Sequence, residues 1–263
     1  MNGERRAPTS LQVVVAIARR EIAMALRRRL VKLLFIGNLI PPLAMAVALI
    51  ANIVAKGIGV EDLGWDPLAR LIQVQAGPVL LLALGIGTPL VARDRSEDVL
   101  FLYATRPVTP WSYTVGKMLA VAAPAVALLV VPGILIAILR VGLMTDFGLV
   151  ESLDLVMRVA VAALLMACGY AGVSVGPSAA TRKARWALLL AMACFVIPSL
   201  VSQLIWRHDP YGLSPGEAVD HIITALFDGY QIGHGVVGGI SLLAWGVLGA
   251  LVTSARVRRE MTP

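Results

Sequence analysis

Residues 172–176 read GVSVG, the G-x-S-x-G pattern in which a serine on a sharp strand-to-helix turn attacks an acyl carbonyl with a histidine as base. Ser174 lacks that setting. The pentapeptide ends a long apolar run, and His208, His221 and His234 all fall in segments that the charge pattern below assigns to the opposite side. Helix packing is the simpler reading of Gly172 and Gly176. The histidines stand 13 residues apart, without the close pairing of common zinc motifs, so no metal site is expected. No G-x-x-x-x-G-K-[ST] occurs, so the chain has no phosphate cradle of that kind and is not expected to hydrolyse ATP itself. Nothing calls for a cofactor. One cluster remains: in RSEDVLFLYATRPVT, residues 95–109, the carboxylates of Glu97 and Asp98, with Asp94 before them and Arg106 after, flank an uninterrupted apolar stretch that includes Leu100, Phe101 and Tyr103. Polar flanks on an apolar centre describe a docking element, not a catalytic one.

The elements that position these groups are apolar runs. With 58% hydrophobic and 15% charged residues and a mean hydropathy of +0.82, the chain is far from the roughly 45–50% apolar and about 25% charged of a soluble domain. It reads as an all-α integral membrane protein, with spans at 33–55, 71–92, 118–139, 155–176, 186–206 and 235–255. The spans leave no room for a second globular domain, so residues 1–263 form one transmembrane domain. Of the 23 Lys and Arg residues, 18 fall in the segment before the first span and in every second loop after it. Only Lys56, Arg70, Arg140, Arg158 and Arg207 fall in the others, and this bias places both termini in the cytoplasm. The net charge of +7 thus reports topology, and no nucleic-acid partner is expected. Arg outnumbers Lys 19 to 4, which suggests a GC-rich genome and the inner membrane of a bacterium.

Cys168 and Cys194 lie inside apolar runs and read as packing residues. Trp186 and Trp206 bracket the fifth span as interfacial anchors, and Arg158 can snorkel or pair with Asp154. The span centres contain no Asp, Glu, Lys or His, which argues against an ion-coupled carrier. Asn38, Asn52, Gln73 and Gln75 either line a path or bond neighbouring helices. Within residues 1–32, a helix with Gln12, Arg19, Arg20 and Arg27 opposite Leu11, Val14, Ala18, Ile22 and Ala25 should lie on the inner membrane surface, against the lipid bilayer. In the outer loop, 207–234, Ser214 and Glu217 have capping-box spacing around Pro215 and predict a short helix at the outer surface. Gly235, Gly239, Gly246 and Ala250 share one helix stripe, and Cys168, Gly172 and Gly176 another, which signals close backbone packing, a dimer seam included.

The 93–117 loop should fold as a helical hairpin. Asp94 and Ser96 are competent N-caps for a helix over 97–105, Pro107 ends it, and Thr109 with Pro110 starts a second helix leading into span three. The apolar residues of the first helix need a cover, supplied either by the protein's own spans or by a partner. The stretch ARDRSEDVLFLYATRPVTPWSYTVGKMLA resembles the segment between the second and third spans of type-2 ABC transporter permeases, the version found in permeases described near multicopper-enzyme maturation. Asp94, Leu100, Arg106, Pro107, Val108, Gly116 and Lys117 stand at the pattern's positions, and the likeness of architecture extends over nearly the whole chain. The family often has Glu and then Gly-Thr where this chain has Asp94 and Glu97-Asp98. The resemblance implies a coupling helix seated in a groove of a separate cytoplasmic ABC ATPase subunit, contacted through Asp94, Glu97, Asp98, Leu100, Phe101, Tyr103 and Arg106. It further implies a second permease half, identical or similar, and export of a substrate. The 6% aromatic content argues against an aromatic-lined glycan channel and leaves a lipid, peptide or other amphipathic compound. Two other classes stay open: a membrane anchor that recruits a cytoplasmic complex through 97–106, and an intramembrane enzyme built on Ser174.

Overall fold

The computed structural model describes residues 9–57, 67–104, 108–143, 149–206, 212–229 and 231–261, and all regular structure among them is helical. Helices α1 (Ser10–Ala25), α2 (Arg29–Gly37), α3 (Ile40–Gly57), α4 (Pro67–Gly87), α5 (Leu90–Ser96) and α6 (Val99–Ala104) make up the first part. The long helices α7 (Pro110–Leu143), α8 (Leu149–Ala180) and α9 (Ala184–Trp206) follow, then α10 (Pro215–Ile223), a π-helical turn (Thr224–Asp228) and α11 (Ile232–Met261). Six segments are long and apolar enough to cross a membrane: Arg29–Asn52, Pro67–Ser96, Pro110–Leu139, Val150–Ala180, Ala184–Ile205 and Ile232–Met261. At 1.5 Å per residue the 34 residues of α7 reach about 51 Å, well beyond a hydrocarbon core of about 30 Å. The excess at its start is what α1 packs against, and α5 reaches it through Asp94, which bonds Tyr113 and Lys117.

Prolines free carbonyls inside the spans, and side chains from neighbouring helices bond them. Pro42 and Pro132 lack the N–H that would reach Asn38 O and Leu128 O. The Gln75 amide of α4 donates to both, at 3.2 and 2.6 Å, and so ties the first, second and third spans at one point. Asn38 donates across to Pro78 O at 3.2 Å. Of the two readings open for these polar residues, Asn38 and Gln75 serve as bonds between helices. Span two breaks at Thr88–Pro89, and one hydroxyl repairs it: Ser178 Oγ accepts from Val91 N and Ala92 N, both at 3.0 Å, and donates to Thr88 O at 2.8 Å.

The glycine stripes of α8 and α11 face each other within one chain instead of forming a seam between chains. A Cβ on Gly172 would lie 2.1 Å from Trp245 O, one on Gly246 would lie 2.4 Å from Cys168 Sγ, and one on Gly176 would meet Gly249 Cα at 3.0 Å. Gly249, which the stripe reading omits, lies directly against Gly172. Gly235 instead packs on Ala225 of the π-helical turn, and Gly239 makes only ordinary contact with Leu165.

The second departure from expectation is α10. Ser214 caps it, accepting from Glu217 N at 3.1 Å with Pro215 following, but the helix does not lie on the surface. Pro215, Ala218, Val219, Ile222 and Ile223 are buried, and Trp245 Nε1 donates to Leu213 O at 3.0 Å. Trp245 is 13 residues into α11 from Ile232, about 20 Å below its start. Residues 212–228 therefore re-enter the bundle, running back alongside α11 with Ala218 and His221 against Gly238. Arg158 pairs with Asp154 at 2.7 Å and also donates to Leu226 O, which holds the π-helical turn in place. Re-entry fits the rule that irregular backbone at membrane depth must be bonded by protein.

Replacing Gln75 with Leu strands two buried carbonyls. Its own Oε1 has no partner among the described residues, so the net loss should be modest, about 1–2 kcal/mol of unfolding free energy in detergent. Adding Pro132→Ala, which returns an N–H to Leu128 O, should recover about half of that loss in the same melts.

Candidate functional site

The residues able to act together gather at the basic end of the bundle, where α1, α5, α6, the start of α7 and the end of α11 meet. Thr9 opens α1, accepting from Gln12 N while Gln12 Oε1 accepts from Thr9 N, a complete capping box. The α1 face that packs is Ile17, Ala18, Glu21 and Ala25. Leu11, assigned to that face by periodicity, is 70% exposed, because the bundle under α1 begins one turn further on. The crossing point on α7 is Gly116, where a Cβ would lie 2.9 Å from Ile17.

One turn along, Glu21 meets Lys117. The ammonium is fully buried, 2.7 Å from Glu21 Oε1 and 2.7 Å from Asp94 Oδ2, with Leu90 O as a third acceptor at 3.4 Å. Its three N–H donors are thus all placed. Tyr113 donates to Asp94 Oδ2 at 2.7 Å and sets its ring 5.2 Å from the ammonium. Two carboxylates on one ammonium leave a negative excess, and Arg20, Arg28 and Arg93 surround it across a cleft of about 60 Å³. One residue along α5, Arg95 makes the matching connection on the other side. It is buried, bonds Glu260 of α11 through Nε (2.9 Å) and Nη2 (2.8 Å), and donates from Nη1 to Ala179 O of α8 at 2.7 Å. Asp94 and Arg95 therefore clamp the last turn of α5 from both sides.

Beyond the clamp the chain turns sharply. Asp94 and Ser96 do not cap the hairpin helix; both belong to α5, which continues span two. Asp98 holds the left-handed conformation at φ 52°, and α6 starts only at Val99. Glu97 is exposed and pairs with Arg93 at 2.8 Å. Leu100 is buried against the bundle and so is not presented to a partner, whereas Phe101 is 67% exposed. Tyr103 turns inward to meet Tyr113 edge-on with ring centres 5.3 Å apart. Burial pushes its phenol above the ordinary tyrosine value, so this contact is intact below about pH 10 and weakens as pH rises through the raised value. Arg106 lies outside the described residues. Thr109 accepts from Ser112 N at 3.1 Å and starts α7 at Pro110, as the sequence predicts.

Ser174 donates to Ala171 O in its own helix and sits against Gly87, where a Cβ would lie 2.3 Å from its Oγ. It is a packing residue. Among the described residues no group of three His, Cys, Asp or Glu side chains is placed to hold a metal. Sequence reasoning missed Glu21, Arg95 and Glu260, and it read Lys117 as a charge at a span end and as a position of the permease-like pattern, not as a buried cation. The available signal was Glu21, a carboxylate on the apolar side of an amphipathic helix. No protein-family model matches this chain, and no curated protein is similar to it.

Lys117→Met leaves Glu21 and Asp94 buried without their cation and should destabilise the folded chain by about 3–5 kcal/mol, read as a lower melting temperature in detergent. Adding Glu21→Gln and Asp94→Asn to that variant should restore much of the loss.

Proposed function

We propose that the chain is the membrane-spanning permease subunit of an ABC exporter, driven by ATP hydrolysed on a separate ATPase subunit. In this reading the basic end faces the cytoplasm of a bacterium, two permease halves assemble, and an amphipathic compound moves between them. The observation that carries it is the form of the 90–104 segment. Its tip presents Phe101 just beyond exposed Glu97 and Asp98, while its root is clamped to α1 and α7 through Asp94–Lys117–Glu21, to α11 through Arg95–Glu260 and to α8 through Arg95 and Ala179 O. A tip that docks and a root that cannot yield convert a push from outside into movement of four helices at once. Two such halves driven by closing ATPase subunits would expose a path alternately to each side. The likeness of 92–120 to type-2 ABC permeases supports the same reading. Asp94 and Leu100, which that likeness assigns to the ATPase, are engaged inside the chain; Phe101, Glu97 and Asp98 are the contacts we assign to the partner.

Phe101→Glu should lower co-purification of the chain with its proposed ATPase subunit by tenfold or more, on the order of one buried aromatic anchor, with the melting temperature unchanged. Permease-dependent ATPase turnover should fall in parallel. Unchanged binding and turnover would overturn the coupling role, and binding without any effect on turnover would favour a membrane anchor.

A further inference from the structure

A groove of about 230 Å³ opens between α8, α9 and α11. It exists because α8 and α11 meet through glycines, which bring their backbones together and leave no side chains to fill the angle beside them. Its walls are apolar: Val173 and Pro177 from α8, Leu190 and Cys194 from α9, Leu248 and Val252 from α11. It runs from Trp245, at mid-depth where the re-entrant segment is tied to the indole, to Ala180 at the basic end of the bundle. That is eight residues of α8 from Gly172, about 12 Å.

The mouth differs in character from the walls. Ala180 is followed at once by Arg182, Lys183 and Arg185, all exposed, and none of the three forms an ion pair among the described residues. Trp186 continues the Leu190–Cys194 stripe one turn outward and is 53% exposed, and Arg256 continues the Val252 stripe. No carboxylate occurs between Asp154 and Asp209. Arg256 pairs with Glu260 at 3.5 Å, a carboxylate it shares with Arg95, so among the described residues the cations left without an ion pair at the mouth are Arg182, Lys183 and Arg185. An apolar slot along the bundle with unpaired cations and an interfacial aromatic at its mouth is complementary to one kind of molecule.

We propose that this groove binds an anionic phospholipid of the leaflet at the basic end, one acyl chain lying along Val173, Cys194 and Val252 and the phosphate at Arg182, Lys183 and Arg185. The site does not depend on the transport reading. It joins three spans through a lipid where protein contacts are sparse, since α9 buries little of its surface in the chain itself.

The test uses full-length protein with Trp245 as its single tryptophan, the other four replaced by Phe, reconstituted in phosphatidylcholine vesicles. Fluorescence quenching is read as lipids with dibrominated chains are added, either phosphatidylglycerol or phosphatidylcholine. Quenching should show phosphatidylglycerol preferred by on the order of fivefold. Substituting Arg182, Lys183 and Arg185 by Gln should abolish that preference and keep the quenching, whereas Arg182→Lys with Arg185→Lys should retain both. Val252→Phe, which fills the slot, should weaken quenching by either lipid in protein that still elutes as folded. Equal quenching by the two lipids in the unmodified groove would overturn the headgroup assignment. Absence of quenching by both would mean that protein, a second copy of this chain included, covers the groove.

Discussion

Hydrocarbon offers the backbone no hydrogen bonds, and this chain places prolines inside four of its long helices. Much of the architecture follows from that conflict. At several broken or irregular turns another helix supplies the donor or acceptor. Gln75 meets the carbonyls freed by Pro42 and Pro132, Ser178 meets the break before Pro89, and the Trp245 indole meets the loop ahead of the re-entrant helix. Because each repair comes from a different element, the defects fix which helices are neighbours. Apolar packing alone would not do so, since lipid chains are as apolar as leucine.

Charge does the corresponding task at the basic end. A buried ammonium shared by two carboxylates is weak evidence of added stability, since desolvation offsets the attraction. It is strong evidence of placement, because only one arrangement of α1, α5 and α7 brings Glu21 and Asp94 each to 2.7 Å of the Lys117 ammonium. The same holds for Arg95 and Glu260 across α5 and α11. The short helix that follows inherits its position from both, and this is why a six-residue helix, far too short to persist alone, can present Phe101 at a fixed point.

Hydropathy made the six spans legible, because length and apolar composition are properties of a segment by itself. The start of α7 was legible for the same reason, since Thr109 and Pro110 act locally. What composition could not show was any relation between segments. Lys117 at the head of a span looks like an ordinary cytoplasmic charge until α1 brings Glu21 to it. Asp94 has the side chain of an N-cap, but the helix of span two runs on past it through the Ser178 repair, so its carboxylate was free to bond Tyr113 instead. The helix after Ser214 was legible from its cap, but its re-entry was not, because 215–228 is too short and too polar to score as a span and only the Leu213–Trp245 bond reveals its depth. The pairing of the two glycine stripes was legible as close approach, but not as to which helix would be approached.

The Glu21–Lys117 pair also imposes an order on synthesis. Ninety-six residues separate the two side chains, so α1 leaves the ribosome long before its counter-ion exists. Two spans are made, and a third begun, before Glu21 can meet its cation. Lys117 in turn cannot settle in its dry position until α1 comes back to cover it. Helix α1 is made before the spans it packs on and is seated only once the third has begun, so its docking depends on those spans being in place.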